Sequence, residues 1–465
     1  MKSTQILSFF LKVFLTQQLL GYTITTATPN EFTKELFLTP FIKAGQIEQG
    51  RAAAEDNNNE LSKVNSNVAI KSYSGYFTID DVYNSNLFFW FFPAQEKPET
   101  APVILWISEL PGFSSLRGLF LENGPFFVNE NLTLKDRPLA WTKTYSMIYI
   151  DAPIGSGFSF ADSEEAYADS SEDEATEIYA ALAQFFTLFP DYKEREFYLA
   201  GKEYAGTFIP HIALHIDENN GKGPLKINLK GVVIGTPWIE PLRQTNTAPF
   251  FHQMGLIDDT QLDVLKAVED QYHKAIEEKE NLIALEYASI IYTGPDSLLA
   301  KFTGYKEFTS VLTTDEPQEV KLFQEFVNSK AVHNYLHVGL HKFKPKNRHT
   351  GARFATEFLN SHIDALQDLL NKDYKVLIYA TQFELEETHL GITEVMNNLK
   401  WKGSKEYLKT KRVVWKVEDD VAGYAKQTQG LTYVFLRNCG DFALAEQPVW
   451  TNDMLHRFVE NKGFN

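Results

Sequence analysis

Glu196-Phe-Tyr-Leu-Ala-Gly-Lys-Glu-Tyr-Ala-Gly206, running on as an apolar helical stretch through Ile216, is the segment whose reading decides the fold. Residues 196–200 form an apolar strand run, Gly201 and Gly206 bracket a tight turn, and the positions that follow repeat at helical spacing. The same alternation recurs on both sides. Val103–Ile107 is a continuous apolar run closed by Pro111-Gly112, and Ser146–Ile150 is a second, ending at Asp151-Ala-Pro-Ile-Gly-Ser-Gly157. Between Asp169 and Phe189, Ala175, Ile178, Ala181, Leu182, Phe185 and Phe186 mark one face of a helix whose first turns are acidic and which Pro190 stops. Strand runs return at Lys375–Tyr379, Arg412–Val417 and Thr432–Leu436, and a closing helix is predicted from about Val449 to Val459. Alternating strands and helices predict an α/β chain with a mostly parallel central sheet flanked by helices. From about 247 to 330 the pattern changes to Glu- and Lys-rich helical stretches such as Asp258–Glu280, which predicts a helical insertion, or cap, over about 245–345. The polar segment Ala52–Asn67 reads as an exposed loop.

The chain has 465 residues, 44% hydrophobic and 23% charged, which excludes disordered, collagenous and coiled-coil classes. Its formal net charge of −17 would repel a polyanion, so no nucleic-acid partner is expected. Lys2 precedes an apolar stretch from Ile6 to Leu20 and then small and polar residues to Thr28, the arrangement of a secretory signal peptide over about 1–27. The stretch is too short and too interrupted by Lys12, Gln17 and Gln18 to span a membrane, and no later apolar run is long enough. A soluble chain of about 28–465 is therefore expected, secreted or lumenal. Asn131-Leu-Thr133 is a sequon for N-glycosylation on that route. The single cysteine, Cys439, allows no intrachain disulfide, and a core of this size does not need one.

Strand, Gly-x-x-x-x-Gly turn and helix at 196–216 have the layout of a nucleophile elbow, in which small residues permit a sharp turn that exposes one side chain above a sheet. The apex here is Glu203. Taken alone, the stretch is more simply a tight turn without chemistry. Other motifs change that weighting: Leu36-Phe-Leu-Thr-Pro-Phe41, Tyr83-Asn-Ser-Asn-Leu-Phe-Phe-Trp-Phe-Phe-Pro-Ala94, Phe120-Leu-Glu-Asn-Gly-Pro125, Asp151-Ala-Pro-Ile-Gly-Ser-Gly-Phe-Ser-Phe160, Leu336-His-Val-Gly339 and Val421-Ala-Gly-Tyr424. In these, and in their order from about Leu36 to Phe458, the chain resembles the serine carboxypeptidases, most nearly the vitellogenic-like ones.

The resemblance implies an α/β-hydrolase fold and a triad of Ser, Asp and His. The family's serine, in its Gly-Glu-Ser-Tyr motif, falls on Glu203; its aspartate, after the strand reading Leu-Ile-Tyr, falls on Glu384; its histidine, ahead of a Gln-Pro pair, falls on Asp441. All three are replaced. A carboxylate is a weak nucleophile near neutral pH, and an aspartate cannot relay a proton there without a large shift, so serine-type hydrolysis is expected to be absent. The loop that supplies an oxyanion amide and holds the substrate carboxylate reads Ser108-Glu109-Leu110-Pro111-Gly112. Glu109 sets a negative charge where an anionic terminus would sit, and Leu110 fills space left open by the family's glycine. Of the acid pair that shares a proton over that terminus, Glu122 persists and the other position is Lys202, which predicts an ordinary Lys202–Glu122 ion pair. Tyr204, whose amide is the second oxyanion donor by resemblance, is retained.

Two readings of this altered site compete. In one, catalysis was lost and these positions became polar surface of a binding or modulatory protein that takes a peptide or protein ligand in the former cleft. In the other, Glu109, Glu203, Glu384 and Asp441 converge, with Glu386 and Glu387 just beyond, and repel one another unless a cation, a Lys or Arg side chain, or water compensates. Residual hydrolysis would have to use His389, Ser114, Ser115 or Thr207, each more simply a solvated, capping or turn residue. No His-Glu-x-x-His occurs, and no cofactor is expected. An active serine-type carboxypeptidase is the alternative. Since family members are often dimers, the resemblance leaves a homodimer open.

Overall fold

The computed structural model describes residues 34–55, 70–223 and 225–465. The leader over 1–27 and most of the expected loop at 52–67 lie outside the described residues; Ala52–Ala54 end a short helix, Ile47–Ala54. Among the described residues twelve strands form: β1 Tyr73–Asp80, β2 Ser85–Phe92, β3 Val103–Trp106, β4 Phe126–Val128, β5 Leu134–Asp136, β6 Ser146–Ile150, β7 Phe197–Lys202, β8 Leu229–Gly235, β9 Lys375–Thr381, β10 Val413–Val417, β11 Asp420–Gln427 and β12 Leu431–Leu436. Ten of them build one sheet in the order β1-β2-β6-β3-β7-β8-β9-β12-β11-β10, and β4 and β5 pair separately as a hairpin. The six central strands from β6 to β12 are parallel, while β1, β2, β10 and β11 add antiparallel edges. This is the α/β-hydrolase arrangement.

Continuous apolar runs follow from burial on both faces. In β3, Val103 and Leu105 enter one core, with the helices Ser171–Leu188, Ala205–Asn219 and Ile363–Asn371, while Ile104 and Trp106 enter the core on the other face. Phe197 and Leu199 against Tyr198 and Ala200 do the same in β7. Between β8 and β9 the chain carries helices and no named strand, including Asp259–Glu277 and Asn281–Tyr292, and these pack around a third core with Phe250, Leu265, Tyr272 and Leu385. The Asp259–Glu277 helix starts where its sequence says it should. Asp258 accepts from the Gln261 amide and the Gln261 side chain accepts from the Asp258 amide, a reciprocal capping box.

The turn after β7 positions the site. Gly201 sits where an added Cβ would lie 2.6 Å from Ala205 Cβ, and Gly206 where it would lie 2.5 Å from Pro237 Cβ, so strand and helix approach closely only because both are glycine. Between them Glu203 takes φ +53°, a left-handed conformation that a residue with a Cβ adopts at a cost. The Glu203 amide donates to Gly235 O of β8 at 3.0 Å and its carbonyl accepts from the Trp238 amide at 2.8 Å, which together hold the strained residue in place.

Candidate active site

Four segments meet at the carboxyl end of the central strands. The loop after β3 brings Glu109, the helical segment Leu119–Asn123 brings Glu122, the elbow brings Lys202 and Glu203, and the loop after β12 brings Asp441. All five side chains are buried. Carboxylate oxygens of Glu109, Glu203 and Asp441 lie within 4.8 Å of one another. Glu384, at the loop after β9, does not enter that group; its Oε1 accepts from its own neighbours, the Leu385 amide at 2.9 Å and the Glu386 amide at 3.1 Å.

The counter-charge comes from within the chain. Lys202 Nζ is 3.0 Å from Glu109 Oε2, 3.4 Å from Glu122 Oε1 and 3.4 Å from Glu203 Oε1, and it makes its shortest contact with Asp441 Oδ1. The expected ordinary Lys202–Glu122 pair is thus one arm of a four-carboxylate network. Arg117, from the short turn Leu116–Gly118, closes on Glu109 from the other side. Both cations also lie over the ring of Phe442, at 4.7 Å for Lys202 and 5.0 Å for Arg117.

Two buried cations do not neutralise four buried carboxyls, so some of these carboxyls must keep their protons. Burial, reinforced by Asp441 and Glu109, raises Glu203 well above the usual carboxylate range. Burial, opposed in part by Lys202, raises Glu122 to about 7. Burial likewise raises Glu384, with Asp441 adding to it. Asp441 goes the other way: burial pushes it up, but Lys202, Arg117 and hydrogen bonds from Glu203 and Lys202 hold it below the ordinary value. Of this pair Glu203 is held towards its protonated form and Asp441 towards its ionised form, with the Lys202 ammonium beside both. Lys202 is held firmly charged, since the surrounding acids outweigh the desolvation that would lower it.

The Tyr204 amide, expected as an oxyanion donor, is occupied. It donates to Glu109 O at 2.9 Å. Its ring is buried and stacks on Phe358 at 4.8 Å. Ser108 Oγ donates to Leu110 O and Ala152 O, each at 3.3 Å, which fixes the Glu109 loop, and Leu110 packs against the core beneath it.

The hydroxyls considered for residual chemistry are engaged elsewhere. Ser114 Oγ and Ser115 Oγ donate to Asp151 Oδ1 at 2.6 and 3.2 Å, and Thr207 Oγ1 donates to Trp238 O at 2.9 Å. His389 lies between the rings of Phe250 and Phe435, at the first turn of the helix His389–Asn398. Asn131 sits exposed in the β4–β5 turn, where Thr133 Oγ1 donates to its Oδ1 at 2.8 Å. Arg117 and Phe442 were not singled out from the sequence. The one signal for Arg117 is a lone charge inside the apolar run Leu116-Arg-Gly-Leu-Phe-Leu121, where a buried cation requires a buried acid.

Residues 62–461 match the family model described as serine carboxypeptidase, and the chain belongs to that family. It is 36% identical over 434 residues to the venom serine carboxypeptidase of Apis mellifera, covering 92% of this chain and 91% of that one. It is 38% identical over 443 residues to the probable serine carboxypeptidase CPVL of Homo sapiens, covering 92% and 90%. The vitellogenic carboxypeptidase of Aedes aegypti is 34% identical over 441 residues, covering 93% and 91%. Among solved structures, the prohormone-processing carboxypeptidase Kex1(delta)p of Saccharomyces cerevisiae superposes with a TM-score of 0.76 at 22% identity, covering 88% of this chain and 96% of that one, which shows the shared fold.

Proposed function

We propose that this member of the serine carboxypeptidase family has lost serine-type peptide hydrolysis and acts instead by binding a peptide or protein ligand over the former reaction centre. The observation that carries this reading is the apex of the elbow. Where the chemistry needs a hydroxyl beside a base, the strained position holds the Glu203 carboxyl, pushed up by burial and Asp441, and the base's place holds an aspartate kept low by Lys202. A protonated carboxyl is a poorer nucleophile than a carboxylate, and an aspartate held below its ordinary range takes no proton near neutral pH. The occupied Tyr204 amide adds to this, because a tetrahedral intermediate would find that donor already bonded to Glu109 O.

The carboxylate cluster supports a protein-internal role more than cation capture, since Lys202 and Arg117 already stand among the acids. Secretion is part of the same proposal. It rests on the apolar stretch Ile6–Leu20 behind Lys2 and on an exposed Asn131 sequon. Among the described residues no helix is long and apolar enough to cross a membrane.

The test is activity-based. The purified chain is offered a fluorophosphonate probe and a blocked dipeptide at acidic pH. Neither labelling nor release of the C-terminal residue is expected. The names of the relatives favour the other reading, an active carboxypeptidase, and stoichiometric labelling with turnover would establish it.

A further inference from the structure

Strands β10, β11 and β12 end the sheet on one side, and one face of them gathers aromatic and cationic side chains. Tyr424 lies opposite Phe435 and Lys426 opposite Tyr433 across β11 and β12, so alternation sets all four on that face. Arg412 comes just before β10, two positions ahead of Val414, which lies opposite Tyr424, and so continues the face outward. Helices stop short of covering it, since Val414 there is 51% exposed. A cavity of about 390 Å³ opens on this face, within the size range of small-molecule sites. Thr393 of the helix His389–Asn398 and Tyr407 of the helix Ser404–Lys409 form its walls.

In a chain whose net charge is −17, two of the ten residues lining this cavity are cations, Arg412 and Lys426, and none is an acid. Arg412 lies over the ring of Tyr424 at 4.0 Å, and Lys426 over the ring of Tyr407 at 3.9 Å. These contacts keep both cations at the cavity. A ring face accepts no paired N–H bonds, however, and among the described residues neither cation has a carboxylate partner. Burial lowers the Lys426 ammonium, and no carboxyl raises it again. The imbalance is the reverse of the one around Lys202, where buried carboxyls outnumber cations.

The remaining walls are mostly rings held in place. Tyr407 and Tyr433 are buried, and Tyr433 Oη shares a hydrogen bond of 2.7 Å with Thr393 Oγ1. Phe435 meets the His389 ring edge-on at 5.0 Å and the Tyr424 ring at 6.2 Å. Fixed aromatic walls favour a flat apolar body, which a bare inorganic anion lacks. Two unpaired cations beside them favour a negative group on that body.

We infer that this cavity binds a small organic anion with a planar apolar body, an aromatic carboxylate or sulfonate, its body against the tyrosine rings and its charged group on Arg412 and Lys426. Arginine takes such a group through two parallel N–H bonds, and lysine as a point charge. The site shares no residue with the Lys202 network and does not depend on whether the protein hydrolyses peptides.

The full chain is titrated by calorimetry at low salt with 2-naphthoate, with its neutral counterpart 2-naphthalenemethanol, and with sulfate. One 2-naphthoate per chain is expected, with a Kd of about 1 mM or tighter. The neutral compound and sulfate should each bind at least about fivefold more weakly, because each lacks one half of the recognition. Arg412→Gln and Lys426→Gln should each weaken 2-naphthoate at least about threefold, and the double variant at least about tenfold. Arg412→Lys, which keeps the charge and loses the paired donors, should lose less than Arg412→Gln. Should the double variant fail to fold by circular dichroism, the ratio of 2-naphthoate to 2-naphthalenemethanol affinity in the parent decides. No uptake of 2-naphthoate, equal affinity for the neutral compound or for sulfate, or affinity unchanged in the folded double variant overturns the proposal.

Discussion

The backbone amide of Tyr204 donates a 2.9 Å hydrogen bond to the carbonyl of Glu109. The amide that the family resemblance assigns to oxyanion binding is thereby already engaged by a carbonyl of the facing loop.

Restoring the side chains alone should therefore fail. The variant combining Glu203→Ser, Glu384→Asp and Asp441→His is expected to stay at least about 10²-fold below a working family enzyme, the usual effect of losing one oxyanion donor. Release of the C-terminal residue from a blocked dipeptide is the measurement. Rapid turnover would mean that the Glu109 loop withdraws from Tyr204 when substrate arrives.

Lys202 should matter for folding out of proportion to its size. Lys202→Met leaves Glu109, Glu122 and Asp441 without their shared cation in a buried space, and breaking a buried network by removing one partner costs about 3–5 kcal/mol. Urea unfolding of the variant against the parent reads this directly. A loss under about 1 kcal/mol would show that the acids simply protonate and remain packed.

Stability should decline as pH rises. Burial raises Glu122 and Glu269 from 4.5 to about 7, and Asp151 from 3.8 to about 6. A raised value means that the folded state binds the proton more tightly, so this contribution is complete below the unfolded value and is lost as pH climbs through about 6 to 7. Asp441, held low, acts oppositely and gives way only when pH falls below its ordinary range. The denaturation midpoint should be higher at about pH 5 than at about pH 8. Glu122→Gln should flatten the slope, and Glu203→Gln, which replaces a carboxyl that burial pushes towards its protonated form, should change stability at about pH 5 by under roughly 1 kcal/mol. A midpoint that rises toward pH 8 contradicts the assignment.

Expression in a secretory host should give a single N-linked glycan at Asn131, exposed in its turn. Endoglycosidase treatment is expected to lower the mass by one glycan, and Asn131→Gln to abolish that change. Retention of the unprocessed leader inside the cell would contradict the secretory reading.

The order of strands and helices was legible because parallel strands buried on both faces leave continuous apolar runs, as at Val103–Trp106, and because Pro190 and the Asp258–Gln261 box mark helix ends. Strand β2, between β1 and β6, was less readable as a strand from its pattern: all eight residues from Ser85 to Phe92 are buried, so period-two alternation is absent. At the site, Glu109, Glu203 and Asp441 were read as converging and Lys202 as the partner of Glu122 alone, but the place of Lys202 at the centre of all four acids was not read. Lys202 gathers acids from positions 109, 122, 203 and 441, and no local spacing announces such a meeting. Nor does any side chain reveal that the Tyr204 amide is taken, since that bond joins backbone to backbone.

With Cys439 as its single cysteine, this chain has no intrachain covalent staple. The ammonium of Lys202 supplies an ionic counterpart, fastening the Asp441 loop to strand β7 across 239 positions of sequence. A disulfide closing so long a loop would be cut by a reductant. This clasp is indifferent to thiols, and with Lys202 held charged and Asp441 held below its ordinary range it loosens only in strong acid.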